Sequence, residues 1–214
     1  GAKLPGASFV RFAHDDPAAL DDVLRSRAKP GRRFLVLVES VYSMSGDLAP
    51  LDGIASVCEA HSAMLLVDEA HATGVFGARG EGLCGGLSGR IDPGRRLIMG
   101  TLSKAVGSQG GFVCGSDAAV GFLVRRARGS TYSTGLAPAC AGAALAAVGM
   151  IPSLGGRRDA LRELRAVFAS VLAGRVPEGR SPILPVVVGA DGAALALSGR
   201  LRERGILEIG RAHV

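Results

Sequence analysis

The sequence predicts an α/β fold, in which a mostly parallel β-sheet is flanked by helices and followed by the start of a smaller α+β domain. Short, continuous apolar runs alternate with segments of helical periodicity, which is typical of parallel strands connected by helices. Of the 214 residues, 48% are hydrophobic and 21% are charged, as in globular chains large enough to bury a core. Because the apolar runs are continuous, we expect helices to cover both faces of the sheet.

The first predicted domain, residues 1–150, contains all the strands of this sheet. Apolar runs predict the strands at residues 34–39, 64–69, 96–101 and 110–115. Helical periodicity predicts helices at residues 51–61, 117–128 and 136–150. These elements together predict part of a large α/β domain.

Beyond Met150 the composition changes. Residues 151–158 are rich in Pro and Gly, which predicts a linker. It is followed by a predicted helix, strand and helix at residues 161–172, 183–189 and 191–204. These elements predict part of a small C-terminal domain over residues 151–208.

Both ends of the sequence are abrupt, so we expect an internal fragment of a longer protein. The last six residues, IGRAHV at 209–214, match no structural period. Because they can be encoded by a sequencing-adapter sequence, our hypothesis is that they are an artefact, and we leave them out of the fold prediction.

Charge and cysteine content narrow the class of protein. The net charge is +6 and the isoelectric point about 9.7. The arginines are scattered and aromatic residues make up only 4%, so no nucleic-acid surface is predicted. No apolar run approaches the roughly 18 residues of a membrane span, and no signal-peptide pattern is visible. The four cysteines form no CxxC pair, which favours reduced thiols in the cytoplasm and no metal site.

Polar residues follow three of the predicted strands, at the edge of the sheet where α/β proteins bind ligands. Ser43 lies in a Gly-containing loop after the first strand, the second strand ends on Asp68 and Glu69 with His71 after it, and Lys104 follows the third. Each of these residues also has an ordinary structural explanation. The serine and the carboxylate could satisfy loop backbone groups, and the histidine and lysine could lie on the surface.

Taken together, the three loops favour a cofactor. Lysine is rare in this chain and, unlike arginine, can lose its proton and act as a nucleophile. The glycines around Lys104 let the backbone approach a bulky ligand, and Thr101 and Ser103 supply hydroxyl groups. Pyridoxal phosphate requires a lysine for its Schiff base and an acid beside its ring nitrogen. The sequence therefore predicts pyridoxal phosphate as the cofactor.

Four segments together resemble the α-oxoamine synthases, which are fold-type I, pyridoxal-phosphate-dependent acyltransferases. They read ESVYSMSGDLAPL, VDEAHATGVFGARGEG, GTLSKAVGSQGGFVCGS and TYSTGLAPA, and they cover the chain from Glu39 to Ala139 in the family's order. The resemblance implies the large domain of fold-type I enzymes and a homodimer with shared active sites. It also implies a decarboxylative condensation of an amino acid with an acyl-CoA or acyl-ACP.

The resemblance further implies roles for single residues. Lys104 would form the Schiff base with the cofactor and then move the proton at the α-carbon of the substrate. Asp68 would pair with the pyridinium nitrogen, and His71 would hydrogen-bond the phenolic oxygen. Thr101 would bind the phosphate, and Ser43 would line the cofactor pocket.

The hydroxyls of Ser133 and Thr134 would reach the phosphate bound in the partner subunit, as the resemblance implies. The chain departs from the family pattern at Ser45, where an acidic residue is common, and at Ala72, where glycine is frequent. A cofactor-stacking histidine and a carboxylate-binding arginine of the family have no counterpart here. We therefore expect the 214-residue chain alone to be poorly active.

Two other classes of protein fit part of the pattern. The segment LLVDEAH also resembles the strand-end Mg²⁺ motif of DEAH-type nucleotide hydrolases, but the sequence has no GxxxxGK[ST] phosphate loop. A non-catalytic relative kept for dimerisation or regulation would be expected to lose Asp68, His71 and Lys104, and all three are present.

Overall fold

The computed structural model describes residues 7–207 and contains a mixed, four-stranded sheet. The strands are β1 (Leu35–Glu39), β2 (Met64–Asp68), β3 (Arg96–Thr101) and β4 (Gly111–Cys114), and they lie side by side in that order. The pairs β1–β2 and β2–β3 are parallel, whereas β4 runs antiparallel to β3. The predicted mostly parallel sheet is confirmed, and all four strands fall on their predicted apolar runs.

The described residues form seven α-helices, named α1 to α7 in chain order. They are α1 (Pro17–Arg27), α2 (Leu51–Ala60), α3 (Asp117–Arg126), α4 (Arg128–Tyr132), α5 (Pro138–Met150), α6 (Gly155–Val171) and α7 (Asp191–Glu203). The helices α1 and α4 were not predicted. Helix α1 buries only Leu20 and Leu24, so its apolar stripe is too narrow to stand out in the sequence.

The hydrophobic core lies against one face of the sheet. Alternate strand residues point into it, and Leu65 and Val67 of β2 are completely buried. From the other side, Ile54 and Cys58 of α2 pack into the same cluster. This arrangement holds α2 across β1 and β2 and fixes the loops that lead into and out of them.

The opposite face of the sheet is exposed at the two edge strands in the described part of the chain, whereas Leu97 of β3 on the same face is buried. Leu35 and Leu37 of β1 are 54% and 43% exposed, and Val113 of β4 is 41% exposed. The prediction that helices cover both faces is therefore wrong for these residues. A continuous apolar run shows that both faces of a strand are apolar, but it cannot show which segment covers them.

The predicted linker at residues 151–158 is also wrong, because this segment is folded. Ile151–Ser153 forms a short 3₁₀ turn, and α6 begins at Gly155. Arg158 is only 6% exposed and donates hydrogen bonds to the carbonyl oxygens of Ile151 and Ala78, at 2.8 and 3.1 Å. The segment is packed against the loop that follows β2, so the division into domains 1–150 and 151–208 stays a prediction.

The strand predicted at residues 183–189 does not form, because no strand pairs with it in the described part of the chain. Pro182 and Pro185 lack the N–H groups that a ladder needs. Val187 is 88% exposed. Ile183 instead packs on the loop after β1, where a Cβ on Gly46 would lie 2.6 Å from its carbonyl oxygen.

The hypothesis of a sequencing-adapter artefact concerns the last six residues of the chain. Residues 209–214 lie outside the described residues.

Within residues 7–207, no single helix has the length and apolarity to cross a membrane. One pair of helices, Pro138–Ser153 and Gly155–Val171, bent by 75°, meets the length and composition criterion only when both are counted together.

Candidate active site

The carboxyl ends of β1, β2 and β3 meet at one edge of the sheet. Glu39 pairs with Asp68 across β1 and β2, and Asp68 pairs with Met99 across β2 and β3. Strand β3 then ends at Thr101. The parallel register therefore brings together three loops, which carry the other residues predicted at strand ends: Ser43, His71 and Lys104.

Asp68 is held firmly at this edge and keeps part of its carboxylate accessible. Its Oδ1 accepts a hydrogen bond from the backbone N–H of Ala70 at 2.8 Å. Its carbonyl oxygen accepts hydrogen bonds from the N–H and the hydroxyl of the buried Ser40, at 2.9 and 3.2 Å. The half-buried side chain points to the open face of the sheet. Asp68 can thus offer Oδ2 to a cationic ligand group.

His71 lies on a turn that begins immediately after β2. The N–H groups of Ala72 and Thr73 donate to the carbonyl oxygen of Glu69, at 2.9 and 2.8 Å. An extended chain would send the side chains of residues 68 and 71 to opposite sides. The turn ends the extended run at β2, so this alternation does not apply between the two positions. We call residues 70–82 the His71 loop.

Lys104 lies in a compact loop between β3 and β4, residues 102–110, which we call the Lys104 loop. Its ends are closed by the hydrogen bond from Leu102 N–H to the carbonyl oxygen of Gly110, at 2.9 Å. Gly107 and Gly110 have φ angles of 69° and 103°, which favour glycine. The Lys104 side chain is exposed and makes no salt bridge with any described residue, so its amine is available to a ligand.

Thr101, the predicted phosphate ligand, lies at the end of β3, and Ser103 follows it at the start of the Lys104 loop. The hydroxyls of Thr101 and Ser103 are 2.7 Å apart, and the N–H of Ser103 donates to Thr101 Oγ1 at 3.2 Å. Thr101 also donates to the carbonyl oxygen of Gly110 at 3.2 Å. Both hydroxyls therefore lie next to the Lys104 loop, and each has a hydrogen-bond partner within this segment.

The His71 loop and the Lys104 loop are in direct contact. Gly74 has a φ angle of 81°, and a Cβ at this position would lie 2.8 Å from the Cβ of Ala105. Only glycine allows the two loops to pack this closely. The structure therefore joins the segment that carries His71 to the segment that carries Lys104.

Ser43 lies in the loop after β1, and this loop makes contacts both within itself and with residues distant in the sequence. Its N–H donates to Glu39 Oε2 at 3.0 Å. Farther along the loop, Asp47 Oδ2 lies 2.6 Å from His14 Nε2, and the ring of His14 packs edge-on against Tyr42. Burial above all, and then Asp15, raise the pKa of Tyr42 to about 12.

Ser133 and Thr134 lie apart from the strand ends, in the connection from α4 to α5. Both are exposed, and the hydroxyl of Ser133 donates to the carbonyl oxygen of Gly129. They line a cleft of about 480 Å³ together with Gln109 and Gly110, which belong to the Lys104 loop. Their predicted reach into a partner subunit stays a prediction.

The most deeply buried ionisable residue of this region had no predicted role. Glu69 is 1% exposed and lies between Asp68 and the His71 loop. Its signal was available in the sequence, because alternation along β2 places residues 65, 67 and 69 on the core side. A carboxylate at a core position must be held by hydrogen-bond donors.

Comparison with known proteins identifies the family. Residues 1–211 match the family model described as aminotransferase class I and II, and the chain belongs to this family. Within it, the chain is 42% identical over 210 residues to an 8-amino-7-oxononanoate synthase of Methylocella silvestris, which covers 97% of this chain and 57% of that protein. A namesake in Methylorubrum populi is 42% identical over 211 residues, 98% of this chain and 50% of that protein.

Solved structures of two different enzymes have the same fold as this chain. A serine palmitoyltransferase variant from S. paucimobilis with a bound PLP–myriocin aldimine has a TM-score of 0.84 and 32% identity, covering 94% of this chain and 53% of that chain. The 8-amino-7-oxononanoate synthase of Francisella tularensis has a TM-score of 0.77 and 28% identity, covering 94% of this chain and 58% of that chain. The predicted α-oxoamine synthase resemblance and the fold-type I large domain are confirmed. The chain spans about half the length of the relatives it matches.

Proposed function

We propose that this chain carries the cofactor-binding part of a pyridoxal-phosphate-dependent α-oxoamine synthase. The observation that supports this most strongly is the meeting of three strand ends, which carry Asp68, Thr101 and, in the following loops, His71 and Lys104. An accessible amine, a carboxylate with a free oxygen and a pair of hydroxyls fit the aldehyde, the ring nitrogen and the phosphate of this cofactor. When bound, the cofactor supplies an electron sink for the carbon atom that loses its proton.

Each residue then has a task that its position allows. Lys104 holds the cofactor covalently through its amine and afterwards moves the proton at the α-carbon of the amino acid. Asp68 stabilises a proton on the ring nitrogen, because a carboxylate favours a neighbouring cation. His71 orients the phenolic oxygen by a hydrogen bond, and Thr101 holds the phosphate. Ser43 lines the pocket from the loop after β1.

The proposed reaction joins an amino acid to an acyl thioester. The acyl carbon forms a bond to the α-carbon of the amino acid, the thiol of CoA or ACP leaves, and carbon dioxide is released. We propose L-alanine and pimeloyl-CoA or pimeloyl-ACP as the substrates, which give 8-amino-7-oxononanoate for biotin synthesis. The names of the relatives support this choice, and the free cysteines are compatible with the cytoplasm as its location.

A second candidate is glycine C-acetyltransferase or another member of the α-oxoamine synthases. The similarity to serine palmitoyltransferase keeps this choice of substrates open. Against glycine C-acetyltransferase, that enzyme usually has Ser-His where this chain has Ala70 and His71. Turnover of alanine, glycine and serine with several acyl-CoAs by the full-length protein distinguishes the candidates.

Cofactor binding is tested by borohydride trapping in the full-length protein. We expect a yellow protein whose cofactor becomes permanently attached to Lys104 on reduction, as located by peptide mass spectrometry. Lys104→Ala should remove the attachment, and Lys29→Ala, on the surface before β1, should leave it unchanged. A wild-type protein that stays colourless with added pyridoxal phosphate contradicts the proposed function.

We also propose a homodimer with shared active sites. Subunits with Lys104→Ala and subunits with both Ser133→Ala and Thr134→Ala should each be poorly active alone. If each site combines Lys104 of one subunit with Ser133 and Thr134 of its partner, a mixed dimer has one intact site of two. Because about half of the dimers are mixed after random reassembly, mixing should restore up to about a quarter of the wild-type activity. Failure of any restoration in mixed dimers of confirmed composition contradicts shared sites.

A further inference from the structure

Glu69 is a buried carboxylate beside the candidate site. It follows Asp68 directly, but the alternation of β2 sends it to the core side, where it is 1% exposed. No basic side chain forms a salt bridge with it in the described part of the chain. A buried carboxylate without a cation is costly unless hydrogen-bond donors surround it.

The donors come from the two residues that directly follow the His71 loop, Leu83 and Cys84. The N–H of Leu83 donates to both carboxylate oxygens of Glu69, at 3.1 and 2.9 Å, and the N–H of Cys84 donates to Oε1 at 3.1 Å. These N–H groups open the 3₁₀ turn Cys84–Leu87, which has no other side-chain cap there. The carboxylate therefore holds the point at which the His71 loop returns to the core.

The backbone of the same residue holds the other end of the loop. The carbonyl oxygen of Glu69 accepts the hydrogen bonds from Ala72 and Thr73 that form the turn after β2. Its own N–H donates to the carbonyl oxygen of Met99 on β3, at 2.7 Å. Glu69 thus connects both ends of the His71 loop to each other and to the strand that leads to Lys104.

Gly82 shows how closely the loop is fitted to this carboxylate. Its φ angle is 95°, and a Cβ at this position would lie 1.6 Å from Glu69 Oε2. At the middle of the loop, Gly74 packs on Ala105, the neighbour of Lys104. The loop therefore contacts the Glu69 carboxylate near its far end and the segment that bears Lys104 near its middle.

We propose that Glu69 is a positioning residue that holds His71 and the Lys104 loop in the geometry required for the cofactor. It touches no substrate and acts through the His71 loop. This role rests on the proposed function, since it concerns the placement of His71 and Lys104 around pyridoxal phosphate. Glutamine at position 69 keeps the size of the side chain but offers one acceptor oxygen and turns an NH₂ group toward backbone donors.

The thiols provide a readout of loop position that does not depend on activity. Cys84 donates its N–H to Glu69 and is buried, whereas Cys58 is buried in the core beneath α2. Burial raises the pKa of the Cys58 thiol to about 12, and burial followed by the neighbouring Glu69 raises the pKa of the Cys84 thiol. Local opening exposes Cys84 alone, and global unfolding exposes both.

The experiment uses full-length wild-type protein and its Glu69→Gln variant. Alkylation rates are measured for each cysteine by peptide mass spectrometry, and cofactor binding is measured by borohydride trapping on Lys104 over a range of pyridoxal phosphate concentrations. For Glu69→Gln we expect alkylation of Cys84 to be about tenfold faster, with Cys58 unchanged. We expect half-maximal trapping to require about tenfold more cofactor.

A matched control is Glu81→Gln in the same loop. Glu81 is exposed and its carboxylate accepts a hydrogen bond from the N–H of Arg79 within the loop. This variant should change neither readout. If Glu69→Gln fails to fold, Glu69→Asp keeps the charge but withdraws the carboxylate from the N–H groups of Leu83 and Cys84, and it should give the same two changes.

The outcomes separate this inference from the proposed function. If Glu69→Gln accelerates Cys84 alkylation but leaves trapping unchanged, or changes neither, the positioning role is overturned while the proposed function stands. If the wild-type protein traps no cofactor, the proposed function fails, and the role of Glu69 fails with it.

Discussion

Asp68 and Glu69 are neighbours in the sequence, yet the structure gives them opposite environments. The alternation of β2 directs Asp68 to the open face at the strand edge and Glu69 into the core. Asp68 accepts from the N–H of Ala70 with Oδ1, whereas Glu69 uses both oxygens on backbone donors. Two carboxylates of the same motif can therefore serve binding and positioning separately.

Asp68→Asn should impair the site without disturbing the fold. Asparagine keeps an oxygen that can accept from Ala70 N–H, but it lacks the charge that would stabilise a protonated ring nitrogen. We expect turnover by the full-length enzyme to fall by at least about a hundredfold, and cofactor affinity to fall as well. The measurements are steady-state kinetics and cofactor titration. The control Asp159→Asn, in an exposed pair with Arg162 on α6, should behave like wild type, and equal losses in both variants would contradict a specific role.

Asp15→Asn should stabilise the protein at neutral pH. Burial above all raises the pKa of the Asp15 carboxyl; His14 lowers this pKa, and Asp47 raises it. A raised pKa means that the folded state binds the proton more tightly than the unfolded chain does, so the ionised carboxylate opposes folding. Asparagine removes the charge and also tolerates the φ angle of 54° at this position.

We expect the free energy of unfolding to rise by about 0.5 kcal/mol at about pH 7. The gain should shrink as the pH falls through the raised pKa of the folded state and vanish near about pH 3, below the ordinary aspartate pKa, where the carboxyl is mostly protonated in both states. Urea denaturation at both pH values measures it, with Asp22→Asn, an exposed residue of α1, as the control. A loss of stability at neutral pH would mean that attraction to His14 outweighs burial.

At the scale of elements, helix α1 depends on its N-terminal cap. The side chain of Asp16 accepts hydrogen bonds from the N–H groups of Ala18 and Ala19, at 2.9 and 3.0 Å, and Pro17 opens the first turn. Asp16→Ala should lower the free energy of unfolding by about 1 kcal/mol, whereas Asp22→Ala farther along the helix should have little effect. Equal effects of the two substitutions in urea denaturation would contradict the capping role.

The elements also show where sequence patterns succeed and fail. The four strands were predicted because their apolar runs are short and end in polar or glycine residues. Helix α1 was missed because it contacts the core with two residues only. The predicted strand at 183–189 failed because a strand requires a partner, and an apolar run such as Val186 to Val188 cannot indicate one.

For the whole molecule, the open face of the sheet should dominate the behaviour of the isolated 214-residue chain. Leu35 and Leu37 are exposed on β1, and apolar surface of this kind promotes dye binding and association. Replacing both with serine should reduce binding of a hydrophobic dye and the associated fraction seen by light scattering, with little loss of stability. Val36→Ser, at a position only 5% exposed, should instead destabilise the chain strongly. Unchanged dye binding in the double variant contradicts the open face.

The amino-acid sequence alone predicts the strands, their order along the chain, the strand ends that carry Asp68 and Thr101, and the loops that carry Ser43, His71 and Lys104. These follow from local patterns and from a family resemblance in contiguous segments. Only the tertiary structure decided that one face of the sheet is open and that residues 151–158 are folded. It also shows that Glu69 accepts hydrogen bonds from the beginning of the His71 loop and from the residues that directly follow it. Each of these depends on contacts between residues far apart in the chain, such as Arg158 with Ala78 and Glu69 with Cys84, and local periodicity carries no information about such partners.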